Sequence, residues 1–270
     1  MLTCRIGNIT VGKNAPVRLM AVVNASPESF FSKSFVPPGS VLSTVRKFAE
    51  DGADIIDIGA RSTAPNSPII PVHTERERVT DILKLIEGVG IPISLDTMHP
   101  EVLSAALRYD IAAINDIHGL SSPEYCRIAA DSGLPVISMA SKAAPGDARG
   151  VEATLSALSL VVERAEKYGI KELILDPAIG KWIPEWEPED DWELCRQFSE
   201  FMAFRRPLLA AVSRKSFIGD LTGRTPEDRL AGTLAVTCSL MDKGASLIRA
   251  HDVRETADII RVHRKLNQRI

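Results

Sequence analysis

Eight short β-rich runs recur along the chain, each followed by a helical pattern, and this strict alternation restricts the possible folds more than any other feature. The runs are Leu19 to Asn24, Ala53 to Gly59, Pro92 to Asp96, Ala112 to Asp116, Pro135 to Met139, Glu172 to Asp176, Leu208 to Ser213 and Leu247 to Asp252. Short apolar runs bounded by turn residues suit strands buried on both faces, as in parallel sheets. Between them lie amphipathic helices, such as Ser40 to Asp51 with its Gly52 stop and Pro226 to Lys243 stopped by Gly244. Open doubly wound sheets usually end at about five to seven strands. Eight βα units in 270 residues therefore predict an α/β chain closed into a single (β/α)8 TIM barrel over residues 1–270. The opening MLTCRIGNITVGKN alternates like a β-hairpin and is expected to cap the bottom of that barrel.

Composition removes several classes of function. With a net charge of −3 and no basic run, the chain lacks the electrostatic footprint of a nucleic-acid binder. No apolar stretch approaches the ~18 residues of a membrane span, and the N-terminus lacks the charged and apolar regions of a secretory signal. Cys4, Cys126, Cys195 and Cys238 show no CxxC spacing, so neither a zinc site nor a disulfide framework is expected. A cytoplasmic protein acting on small molecules is the resulting expectation.

Barrel enzymes build their sites from the loops after the strands, so polar residues ending apolar runs are candidates. Here these are Asn24, Arg61, Asp96, Asn115, Asp116, Met139, Asp176, Lys215, Arg249 and His251. A lone strand-end Asp often caps the next helix, but amides, carboxylates and cations from seven strands converging at one end exceed what capping needs. Asp96, Asn115 and Asp176 could accept and donate in the plane of a flat, nitrogen-rich ring, with Lys215 as donor and Met139 as an apolar face. Arg249 and His251, two apart and beside Asn24 on a neighbouring strand, suit a phosphate or pyrophosphate with a Mg2+ that takes few protein ligands. Two polar loops, Ala25 to Gly39 and Ser141 to Gly150, overhang this end.

The segments MAVVNASPESF, DGADIIDIGARSTAP, ISLDT, AAINDIHG, LILDPAIG, SRKSFIG and RAHDV resemble, in order and spacing, the blocks of the dihydropteroate synthase family. SRKSFIG with RAHDV is the specific part of the match. The resemblance implies a TIM-barrel transferase, usually a homodimer, that joins an arylamine to a dihydropterin pyrophosphate with help from Mg2+. It implies that Asp96, Asn115, Met139, Asp176 and Lys215 bind the pterin, and that Asn24, Arg249 and His251 bind pyrophosphate, Asn24 through the metal. It places Thr63 and Ser216 on the arylamine side, where Arg61 could return, from a different direction, the charge of a family arginine absent three residues later, and gives Asp96, Lys215, Arg249 and His251 the catalytic roles.

Departures cluster on the arylamine side. Ser32, next to Lys33, replaces the acidic residue of the first loop, Ala64-Pro65-Asn66 lacks the family's arginine, Ala178 and Ala211 stand for glycines, and Lys181-Trp182 replaces an aromatic-glycine-lysine run. A kept pterin floor with rewritten loops suggests a different second substrate, such as the bulkier ribosylated aminobenzene phosphate used by archaeal methanopterin-type relatives. A pterin-dependent methyltransferase and a non-catalytic pterin-binding homologue are the competing expectations.

Overall fold

A computed structural model describes residues 2–28, 35–63 and 67–267. Ser32, Lys33 and the Ala64-Pro65-Asn66 segment lie outside the described residues. The chain opens with β1 (Cys4–Ile6) and β2 (Ile9–Val11), then alternates β3 (Arg18–Asn24), α1 (Val41–Asp51), β4 (Ile55–Gly59), α2 (Val72–Leu85), β5 (Ile93–Asp96), α3 (Pro100–Ala106), β6 (Ala113–Asp116) and α4 (Pro123–Ser132). It continues through β7 (Val136–Met139), α5 (Gly150–Tyr168), β8 (Leu173–Asp176), α6 (Pro188–Arg196), β9 (Leu208–Ala210), α7 (Ser216–Thr222), α8 (Leu230–Asp242), β10 (Ala245–Ala250) and α9 (Val253–Asn267). Strands β3 to β10 are parallel and close into the expected eight-stranded barrel, with β10 pairing β3.

Period-two alternation sorts each strand into a face inside the barrel and a face under the helices. Met20, Ile55, Ala113, Ile137, Ile174, Leu209 and Leu247 form the lowest interior layer. Cys4, Ile6 and Val11 of the antiparallel β1–β2 hairpin pack onto that layer, so the hairpin caps the bottom as expected. The outer layer, including Ile56, Ile58, Leu95, Ile114 and Leu175, packs under helices through Val79, Leu103, Leu158 and Phe198.

Several element boundaries differ from expectation: β4 begins at Ile55 rather than Ala53, and β10 runs Ala245–Ala250 rather than Leu247 to Asp252. Strand β9 ends at Ala210 rather than Ser213, and the chain then turns at Arg214, which takes φ +57. Pro226 to Lys243 divides into a 3-10 turn at Pro226–Asp228 and helix α8. Ser40 ends a 3-10 turn and makes no side-chain cap to α1. The loop after β7 is tied down: Asp147 accepts backbone N–H bonds from Lys142, Ala143 and Ala144 at 2.9, 2.6 and 2.9 Å.

Candidate active site

The floor of the barrel mouth is a buried ionic lattice centred on Arg249. Its Nε donates to Asp57 Oδ2 and its Nη2 to Asp96 Oδ2, both at 2.7 Å. Asn115 Nδ2 donates to the same Asp57 oxygen at 3.0 Å. Asp57 is fully buried, and its other oxygen, Oδ1, has no hydrogen-bond partner among the described residues. Charges this deep persist only when opposite charge compensates their lost hydration. Burial pushes the Asp96 carboxyl up to about 7, Arg249 pulls it back, and the Asp57 charge adds to the rise. Arg249 is held charged more firmly than usual: desolvation is outweighed by Asp57 and Asp96.

Asp57 is the floor residue that the sequence reading missed. It lies inside the apolar run Ile55–Gly59, where its interior parity with Ile55 was the available signal. Arg249, expected at the pyrophosphate, is therefore tied to Asp57 and Asp96 in the floor. It and His251 turn to different partners, His251 Nδ1 lying 3.0 Å from Ser213 Oγ. Burial and the nearby cations Arg249, Arg214 and Lys215 push His251 down to about 3, so its imidazole is neutral at ordinary pH. Asn24 ends β3 beside β10, and its Oδ1 accepts the Ser26 N–H at 3.0 Å, which fixes the direction of the amide.

On the opposite wall, Asp176 ends β8 and accepts the Ala178 N–H at 2.8 Å. Met139 is paired in register with it and is buried. Ala178 adopts φ +63, which is a physical reason for glycine to be usual there. Lys215 follows the Arg214 turn, and its Nζ stands 4.9 Å from the centre of the Trp182 ring. Desolvation lowers the Lys215 pKa, and the Asp176 and Asp191 charges raise it. Ser216 is half-buried in the first turn of α7 next to it.

Two strand-end residues have structural roles. Asp116 accepts N–H bonds from His118 and Leu120 at 2.9 and 2.6 Å and so shapes the loop after β6, while Ser122 rather than Asp116 caps α4. Arg214 grips Asp252 with Nε and Nη2 at 2.8 and 2.6 Å and also donates to the Pro226 carbonyl at 2.7 Å, which braces the turn presenting Lys215.

Arg61 is not an open cation. Its Nε donates to buried Glu75 at 2.6 Å and its Nη2 to the Ile70 carbonyl at 2.7 Å. Thr97 Oγ1 at 2.6 Å and His99 Nδ1 at 2.9 Å complete the shell around Glu75. Above them, a cavity of about 340 Å³ opens between the loops after β4 and β5, lined by Arg61, Thr63, Met98, His99, Ile117 and Pro145. Thr63 is exposed at its edge.

A family profile described as pterin binding enzyme matches residues 20–251. Dihydropteroate synthase type-3 of Escherichia coli is 33% identical over 261 residues, covering 92% of this chain and 99% of that protein. The dihydropteroate synthase of Xanthomonas albilineans, solved with 4-aminobenzoic acid, aligns over 99% of both chains at 32% identity with a TM-score of 0.86. That of Coxiella burnetii, solved with pteroic acid, aligns over 99% of both chains at 27% identity and a TM-score of 0.85. With its barrel and nearly its whole length shared in this way, the chain belongs to the pterin-binding enzymes, as a transferase of the dihydropteroate synthase family.

Proposed function

We propose that this chain condenses 6-hydroxymethyl-7,8-dihydropterin pyrophosphate with p-aminobenzoate and releases pyrophosphate. The observation that carries the reading is the buried floor of Asp57, Asp96, Asn115 and Arg249, where Asp57 Oδ1 has no partner among the described residues. Asp57 itself is fully buried, but the partly exposed carboxylate of Asp96 beside it presents acceptors to which the N–H groups of an aminopyrimidinone ring can donate. Asp176 and Lys215 hold the same ring from the opposite wall, and Met139 packs on its face.

Chemistry follows from charge placement. As the C–O bond to pyrophosphate lengthens, the pterin methylene becomes cation-like, and the carboxylates of Asp96 and Asp176 stabilise it. Arg249, through guanidinium N–H groups not bonded to Asp57 or Asp96, and the neutral His251 donate hydrogen bonds to the departing phosphate oxygens. The arylamine nitrogen then forms the new C–N bond, and the extra N–H proton leaves to solvent. No covalent protein nucleophile is needed, because orientation and electrostatics carry the step.

A Mg2+ at this site would take few ligands from the protein. Among the described residues no group of three His, Cys, Asp or Glu side chains could enclose a metal. A Mg2+ taking the Asn24 carbonyl and drawing its remaining ligands from phosphate and water matches that donor set. Bound there, it would neutralise charge on the leaving group.

The 4-aminobenzoic acid in the Xanthomonas relative supports p-aminobenzoate. Arg61, neutralised by Glu75, offers no open charge for the phosphate of a ribosylated arylamine. We infer a cytoplasmic homodimer, supported by four free cysteines and by α8, whose Ala231 and Ala235 are exposed beside half-buried Leu234 and Cys238. Pyrophosphate release measured with p-aminobenzoate and with the ribofuranosyl aminobenzene phosphate tests the reading. Preference for p-aminobenzoate is expected; no release with either would overturn it.

A further inference from the structure

Asp191 lies on α6, outside the floor described above, yet it is only 1% exposed. Its Oδ1 accepts the Gly180 N–H at 2.6 Å and the Trp186 Nε1–H at 3.1 Å. Its Oδ2 is equally buried and has no hydrogen-bond partner among the described residues. If the residue only clamped the loop after β8, an amide oxygen would make the same two bonds. What an amide would lack is charge, and a buried carboxylate with one unpaired oxygen is costly unless a cation compensates it.

Lys215 is that cation. Its Nζ lies against Gly180, where a Cβ would collide with it, and over the Trp182 ring at 4.9 Å. Gly180 therefore separates the two: its N–H holds the carboxylate while its Cα supports the ammonium. Trp182 is itself fixed, its Nε1 donating to the Ala178 carbonyl at 2.8 Å.

Resting on the pterin-side role of Lys215, we propose that Asp191 is a positioning residue, its buried charge holding the Lys215 ammonium on Gly180 and Trp182, aimed at the pterin. Lys215 is faced by Asp176 from β8, Arg249 from β10 and His251 just beyond β10. Asp191 is faced by Lys215 and, on its own helix, by Asp190 and Cys195. Burial pushes Asp191 up to about 6, and Lys215 draws it back down. Asp176 and Asp191 together oppose the desolvation that would discharge Lys215.

The test is Asp191→Asn, with Asp191→Glu to restore the charge. NMR of protein labelled at lysine side chains, with the Lys215 resonance assigned by its loss in Lys215→Gln, reports the Lys215 pKa directly. We expect that pKa to fall by at least about one in Asp191→Asn and to recover in part in Asp191→Glu. The urea midpoint of Asp191→Asn should stay near the parent value, kcat/KM for the dihydropterin pyrophosphate should fall about tenfold, and its alkaline limb should move to lower pH. An unchanged Lys215 pKa and unchanged kinetics in Asp191→Asn would reduce Asp191 to a loop clamp and overturn the proposal. Because the NMR measurement needs no turnover, failure of the parent protein to release pyrophosphate would sink the functional reading alone.

Discussion

Arg249 and Asp57 are 192 positions apart in sequence, yet Arg249 Nε donates to Asp57 Oδ2 at 2.7 Å in the closed barrel floor. Because Asn115 bonds the same oxygen, Asp57 couples strands β4, β6 and β10. Removing one partner of a buried pair leaves the other charge uncompensated, at a cost of about 3–5 kcal/mol. Arg249 keeps Asp96, which places Asp57→Ala near the lower end, about 3 kcal/mol. Urea denaturation checks this, and an unchanged midpoint would remove Asp57 from the lattice.

Asp176 is a different case. It sits at the mouth, and its side chain accepts the Ala178 N–H, a bond that an Asn oxygen could also accept. Asp176→Asn should therefore keep the fold while losing a charge-assisted bond to the pterin. Such bonds are worth roughly 1.5–3 kcal/mol, or about ten- to a hundredfold in affinity. Calorimetry with the dihydropterin pyrophosphate reads the loss. A variant that unfolds, or one that binds as tightly as the parent, contradicts the assignment.

How much was legible in the chain follows from the same residues. Strand order and the hairpin cap were readable, because apolar period and turn residues act locally. Asp96, Asn115, Asp176 and Lys215 were readable as strand-end polar groups after apolar runs. Asp57 was not, because an acid within Ile55–Gly59 becomes conspicuous only once closure assigns its face. Nor were the partners of Arg249 and Arg61, since both depend on register and loop packing between distant elements. Asp191 and Trp182 belong to an irregular loop and its following helix, where no period marks which side chain turns inward.

His251 makes the pH dependence of stability testable. Its pKa falls from 6.5 to about 3 on folding, so the unfolded chain binds the proton more readily. The stability this group contributes is complete above pH 6.5 and is lost as pH falls toward 3. Asp96 acts in the opposite sense: raised to about 7, it favours the folded state as pH falls through that value. Asp96 is common to parent and His251→Asn, so the difference between their melting temperatures isolates the histidine. The variant should gain on the parent between pH 7.5 and pH 4.5; a constant difference would refute a buried neutral imidazole.

The Arg214 turn supplies a last expectation. Arg214 holds φ +57 while its guanidinium grips both oxygens of Asp252 and also the Pro226 carbonyl. Lysine keeps the charge but cannot bond a carboxylate through two parallel N–H groups. Arg214→Lys should lower stability by about 1–3 kcal/mol, the size of a lost charge-assisted pair. Lys215 and Ser216 follow directly on this turn, so loosening it should also raise KM for both the pterin and the arylamine. Thermal melts and steady-state kinetics on the same preparation check the two effects. A loss of stability with both KM values unchanged would show that the brace holds the barrel alone and does not aim the site.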